Sequence, residues 1–178
     1  MSAASAVGGV SGRANAFKTI VWGGLTAAVL DGSYAVIILG WARGHSTLST
    51  FQFIASGLLG PAAFPGGWGS GSIGVVCHVV IAMGAAAVFY GISLLWPGVL
   101  GKPVLYGGVF GLGVFLFMHY IVVPLSAVPK SPTRPGTYLS LVLAHVICVG
   151  IPIAMMASCS AKRSELRLPS LEQEKAVV

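Results

Sequence analysis

Four ionisable side chains lie inside strongly apolar runs. Asp31 sits in "LTAAVLDGSYAVIILGWA" (residues 25 to 42), His78 in "VVCHVVIAMG", His119 in "FLFMHYIVVP" and His145 in "LAHVICVGIPIA". Asp31 is also the only acidic residue before Glu165. Three kinds of chemistry suit one carboxylate and three imidazoles. Histidine is the commonest metal ligand, and three of them with a carboxylate can complete a coordination sphere. Two histidines on facing helices can ligate a haem. Asp and His in membrane helices also mark proton and solute paths. Finally, such groups can hydrogen-bond between helices and fix their packing, with Ser33, Tyr34, Tyr90 and Tyr120 as partners. Cys148 follows His145 by three residues and so shares its helical face.

The surrounding spelling narrows these options. Neither H-E-x-x-H nor a paired C-x-x-C occurs, and there is no C-x-x-C-H for covalent haem attachment. No cofactor is expected, and His78, His119 and His145 are the candidate ligands if a metal or haem binds. No G-x-S-x-G elbow and no acid–base carboxylate pair is present. "GGVFGLG" at 107–113 lies within an apolar run rather than between a strand and a helix. The chain is therefore not expected to be an enzyme.

The elements that must position these residues are membrane helices. Of 178 residues, 56% are hydrophobic and 8% charged, and the mean hydropathy is +0.90. Soluble domains carry about 25% charged residues, so a water-soluble surface is out of reach. The net charge of +6 comes from Lys and Arg that flank apolar stretches. No basic patch is interleaved with aromatics, which argues against nucleic acid as a partner. Cys77, Cys148 and Cys159 fall in or at the end of apolar runs and do not form a secreted disulfide framework.

Four segments, about 19–42, 72–96, 103–124 and 138–159, approach the roughly 20 residues needed to cross a bilayer. The expected fold class is all-α, an integral membrane bundle of four transmembrane helices. Residues 1–16 read as disordered, 17–160 as the transmembrane domain, and 161–178 as a charged cytoplasmic tail with a short surface helix. Between spans 1 and 2, the apolar part from Phe51 to Phe64 is too short to cross. With Ser46 or Ser49 as cap and breaks at Pro61 and Pro65-Gly66-Gly67, it predicts a re-entrant or interfacial helix. Gly107 with Gly111, Gly24 with Ala28, Ala28 with Gly32, and Gly150 with Ala154 are small pairs that let helices approach closely. Pro124 and Pro152 should kink or end their helices.

With a cytoplasmic N-terminus, the inside holds seven basic residues and the outside three, Arg43, Lys130 and Arg134. The positive-inside rule then places both termini in the cytoplasm. Counting 1.5 Å per residue from the span ends puts His78, His119 and His145 roughly 8–10 Å deep and Asp31 roughly 18 Å deep. The expectation is one polar layer of Asp31, His78, His119 and His145. Tyr34, Tyr90, Tyr120 and Cys148 are secondary candidates.

The segments carrying the histidines, "HVVIAMGAAAVFYG", "YGGVFGLGVFLFMHYIVVPLSAVP" and "LAHVICVGIPIA", resemble the YagU-like group of small bacterial inner-membrane proteins over roughly residues 72–155. The shared features are a span opening with His78 and ending near Tyr90, a Gly-rich span ending His119-x-x-x-x-Pro124, and a last span with His145 in its first third. The resemblance implies a four-span protein of the bacterial inner membrane and brings no biochemical activity with it. Asp31 and "IASGLLGPAAFPGG" have no counterpart in it. The function expected from sequence is thus a polytopic membrane protein with a structural polar layer. The alternatives are proton or small-solute passage through a homo-oligomer, a His-ligated haem or metal protein, and an accessory subunit of a larger membrane complex. The lipid bilayer is the one partner that composition demands.

Overall fold

A computed structural model of the chain describes residues 15–130 and 135–176. Four helices are long and apolar enough to cross a membrane. They are α1 (Lys18–Arg43), α3 (Gly67–Leu95), α4 (Pro103–Leu125) and α5 (Gly136–Ser164), with a shorter helix, α2 (Thr47–Leu59), between the first two. No strand occurs among the described residues. Val29, Val80, Val109 and Ile147 all point outward and are more than half exposed, as the lipid-facing side chains of a bundle must be. The chain is an all-α polytopic membrane protein.

Small residues set how closely the helices approach. A Cβ on Gly107 would lie 2.8 Å from the Gly150 carbonyl oxygen, and one on Gly111 would overlap the His145 carbonyl. α4 and α5 therefore touch backbone to backbone. On α1, a Cβ at Gly24 would lie 2.8 Å from the Met83 Cα, and one at Gly32 would lie 3.2 Å from the His78 ring. The Gly24/Ala28/Gly32 stripe is thus the face that receives α3. Around these contacts, Ala27, Ala86, Phe89, Leu100, Ile153 and Ala157 form the centre of the apolar core.

The start of α1 is held as well. The Asn15 side chain accepts from the Lys18 N–H at 3.0 Å, and the Asn15 N–H donates to Ser160 Oγ at 3.0 Å. The expected disordered segment 1–16 thus ends in an ordered cap, and its first fourteen residues lie outside the described part. At the other terminus the backbone remains helical through Ile151–Ala176. The expected separate tail helix is a continuation of the last span.

α2 begins as predicted, with Ser46 Oγ accepting from the Ser49 N–H at 3.1 Å. Its 13 residues measure about 20 Å, too short to cross a bilayer. The chain then reverses through a tight Gly60–Gly66 turn of 3₁₀ form, bounded by Gly60 at φ 58° and Gly67 at φ 54°. These left-handed conformations suit glycine. α2 crosses the first turns of α3, where Gly71 makes room for Leu48 and Gly74 for the Phe51 carbonyl. Its last turn reaches the far side of the bundle, where the Gly57 carbonyl accepts from the Ala127 N–H at 2.9 Å. One end of α2 follows α1 and the other meets the chain just past α4. Both ends thus lie near the same end of the bundle.

Wide π-helical turns interrupt three spans, at Lys18–Gly23 and Ala35–Gly40 in α1, Met118–Val122 in α4 and His145–Gly150 in α5. The last two directly precede Pro124 and Pro152. A proline ring clashes with the carbonyl one turn back, and a wider turn relieves that clash. The disturbance expected at both prolines takes this form.

Candidate functional site: two polar levels in the bundle

The single layer expected from sequence splits into two. α3 starts at Gly67, five residues before the expected Ser72. His78 is therefore eleven residues into its helix, roughly 17 Å deep, and level with Asp31 rather than with His119, which lies six residues from the end of α4. Its Nε2–H donates to the Ala28 carbonyl at 3.0 Å across the α1–α3 contact. The small face of Gly32 makes space for the ring.

Asp31 lies on the same face of α1 as the buried Gly24 and Ala27, spaced seven and four residues along. It points inward, as polar residues in spans generally do. It is half-buried and makes no hydrogen bond or ion pair among the described residues. Cys148, twelve residues into α5 and so roughly 18 Å deep, lies in the His145–Gly150 turn that packs against this part of α1. Tyr34, one turn from Asp31, buries a hydroxyl that has no hydrogen-bond partner among the described residues.

The second group is centred on Phe115 of α4. His119 stacks on Phe115 with ring centroids 5.6 Å apart and an interplanar angle of 17°. Its Nε2 is hydrogen-bonded to the Tyr138 hydroxyl of α5. His145 meets the same Phe115 edge-on at 5.6 Å, and its Nδ1–H donates to the Leu141 carbonyl at 2.9 Å. Tyr120 packs edge-on against His119 but is itself exposed. So His119 and His145 share a neighbour across α4 and α5, while His78 belongs to the α1–α3 contact. Among the described residues, no three His, Cys, Asp or Glu side chains gather as a metal site would require. The expected ligand set of His78, His119 and His145 is not assembled.

The expected partners also differ. Tyr90 packs against the apolar core, far along α3 from His78. Ser33 is exposed. The histidines instead use main-chain carbonyls and Tyr138, which read from sequence only as the start of a span. Other ties within the bundle rest mostly on short, neutral residues that no sequence pattern marks. Ser158 Oγ donates to the Leu100 carbonyl at 2.8 Å, Thr19 and Ser160 pair at 3.4 Å, and the Arg43 guanidinium donates to Thr137 Oγ1 at 3.0 Å. Gln52, only 6% exposed, donates to the carbonyls of Phe64 and Gly67. A lone Gln within "STFQFIASG" is the signal that could have found it.

Bundle and site together define a polytopic helical membrane protein with paired polar residues between its spans. No family model matches the chain, and the searches of curated proteins and of solved structures likewise found no match.

Proposed function

We propose that the intramembrane histidines are structural ties, and that the chain serves as a helical scaffold in the membrane. One observation carries this reading. Each of the three is engaged, His78 by the Ala28 carbonyl of α1, His119 by Tyr138 of α5, and His145 by the Leu141 carbonyl of its own helix and the Phe115 ring of α4. None presents a set of ligands to a common centre. On this reading, Tyr138→Phe and His78→Ala each lower the unfolding free energy in detergent by about 1 kcal/mol. Protein expressed with iron and haem available contains neither. A Soret band lost on replacing His119 or His145 would overturn the reading in favour of haem ligation.

A second reading rests on Asp31. An inward carboxyl without a partner is the group a proton or small-solute path would use. Four spans are few for a transporter, so the path would run through an oligomer. In proteoliposomes, Asp31→Asn then abolishes a pH-driven flux. Flux that persists unchanged in this variant makes Asp31 structural. The charge bias of the loops and the even number of spans support a bacterial cytoplasmic membrane with both termini inside, which a reporter fused after Val178 would check. The YagU-like resemblance supports the same location, and the scaffold reading accommodates an accessory role in a larger complex.

A further inference from the structure

Two lysines far apart in sequence meet at one corner of the bundle. α3 ends at Leu95, and a tight 3₁₀ turn, Pro97–Gly101, leads to Lys102 at the head of α4. Val99 and Leu100 of this turn are buried. The Leu100 carbonyl accepts from Ser158 Oγ of α5 at 2.8 Å, so the turn is tied to the last span. Lys102 lies two residues past Leu100. Lys162 lies one helical turn past Ser158 and so shares its face. Both lysines are exposed. Arg163 follows Lys162 and matches Glu165 in formal charge, and no other acid occurs between Asp31 and Glu165. The two lysines are therefore a surplus of positive charge at a fixed place, which attracts an anion.

The neighbours of the pair select the kind of anion. Leu95 is 90% exposed, and Val104 and Leu105 are more than half exposed. These apolar side chains flank the corner and need a hydrocarbon cover. Trp96 is exposed, and its ring packs edge-on against Tyr106 at 5.4 Å. Its indole N–H donates to nothing among the described residues. An indole held in this way at the end of a span is an aromatic of the headgroup level. Free phosphate in water gains nothing from such apolar neighbours. A lipid covers them with its chains and brings its phosphate to the level of the lysines. We propose that Lys102 and Lys162 together bind the phosphate of an anionic phospholipid, with the Trp96 indole N–H as a further donor to the headgroup.

Native mass spectrometry of the full chain tests this, with equal amounts of 1-palmitoyl-2-oleoyl phosphatidylglycerol and the matching phosphatidylcholine added to the detergent. Phosphatidylglycerol is retained in preference, because the choline ammonium cancels the charge that the lysines attract. Lys102→Gln and Lys162→Gln each weaken retention about fivefold, and the double variant roughly twenty-five-fold, as loss of one and two cations near a membrane surface would. Lys130→Gln removes the same charge beyond the opposite end of α4 and leaves retention unchanged. Excess inorganic phosphate does not displace the lipid. Equal retention of the two lipids, equal losses in Lys130→Gln and Lys102→Gln, or displacement by inorganic phosphate would overturn the proposal.

Discussion

Gly111→Leu will break the bundle, and Gly113→Leu, two residues along the same helix, will leave it intact. A Cβ at 111 overlaps the His145 carbonyl and comes within 2.8 Å of the Val146 Cα, while one at 113 meets nothing within 4 Å. The collision at 111 is with the backbone of α5, which cannot rotate away as a side chain can. Overpacking costs typically 1–3 kcal/mol where neighbours can adjust. With main chain on both sides, about 3 kcal/mol or more is expected. At 113 the same substitution replaces a poor helix former with a good one at an open position, so stability holds or rises slightly. Reversible unfolding in mixed micelles, followed by circular dichroism, compares the two directly. Equal stability of the two variants would refute the backbone contact between α4 and α5.

The second large effect falls on Gln52. Its amide N–H groups reach the Phe64 carbonyl at 3.0 Å and the Gly67 carbonyl at 3.2 Å, with Ser70 Oγ at 3.4 Å. Gly67 keeps a bond from Ser70 when Gln52 is lost, whereas Phe64 loses its described donor. Gln52→Leu preserves the volume of the side chain and leaves that carbonyl without a partner, a loss of about 2 kcal/mol. The Gly60–Gly66 reversal should loosen with it. Ala63 is fully buried beneath this turn. In an Ala63→Cys background, Gln52→Leu is therefore expected to speed labelling by a water-soluble maleimide. Unchanged labelling and unchanged stability would show that the turn is held by its glycines and prolines alone.

The contrast between Gly111 and Gln52 marks what can be read from the letters. Helix number, the Ser46 cap and the Gly107/Gly111 approach to Gly150 follow from composition and spacing. Each depends on residues close in sequence or on a pattern that has few outlets in a membrane. The start of α3 was placed five residues late because "GGWGSG" has the composition of a loop. In the folded chain, Gly71 and Gly74 of that stretch are the sites where α2 can lie against α3. That displacement carried His78 to the depth of His119, whereas it lies level with Asp31. The partners of the histidines were harder still to read. A main-chain carbonyl is present at every residue, so nothing in the sequence marks Ala28 or Leu141 as acceptors. The rotation of each helix about its axis, which decides that Asp31 points inward and His78 faces Gly32, is set by packing against neighbours distant in sequence.

The two ends of the bundle are built from different materials. Phe89, Val99, Leu100, Ile153 and Ala157 fill the end where the chain enters and leaves, and Asn15, Thr19, Ser158 and Ser160 bind that end together. At the opposite end α2 packs closely on α3, and single hydrogen bonds join the other elements, Arg43 to Thr137, Gly57 to Ala127 and His119 to Tyr138. Regions with few buried apolar contacts open at the lowest free energy. The α2 end is therefore expected to open at the lower free energy. A change in lipid packing around the α2 end is then expected to reshape it while the opposite half keeps its form.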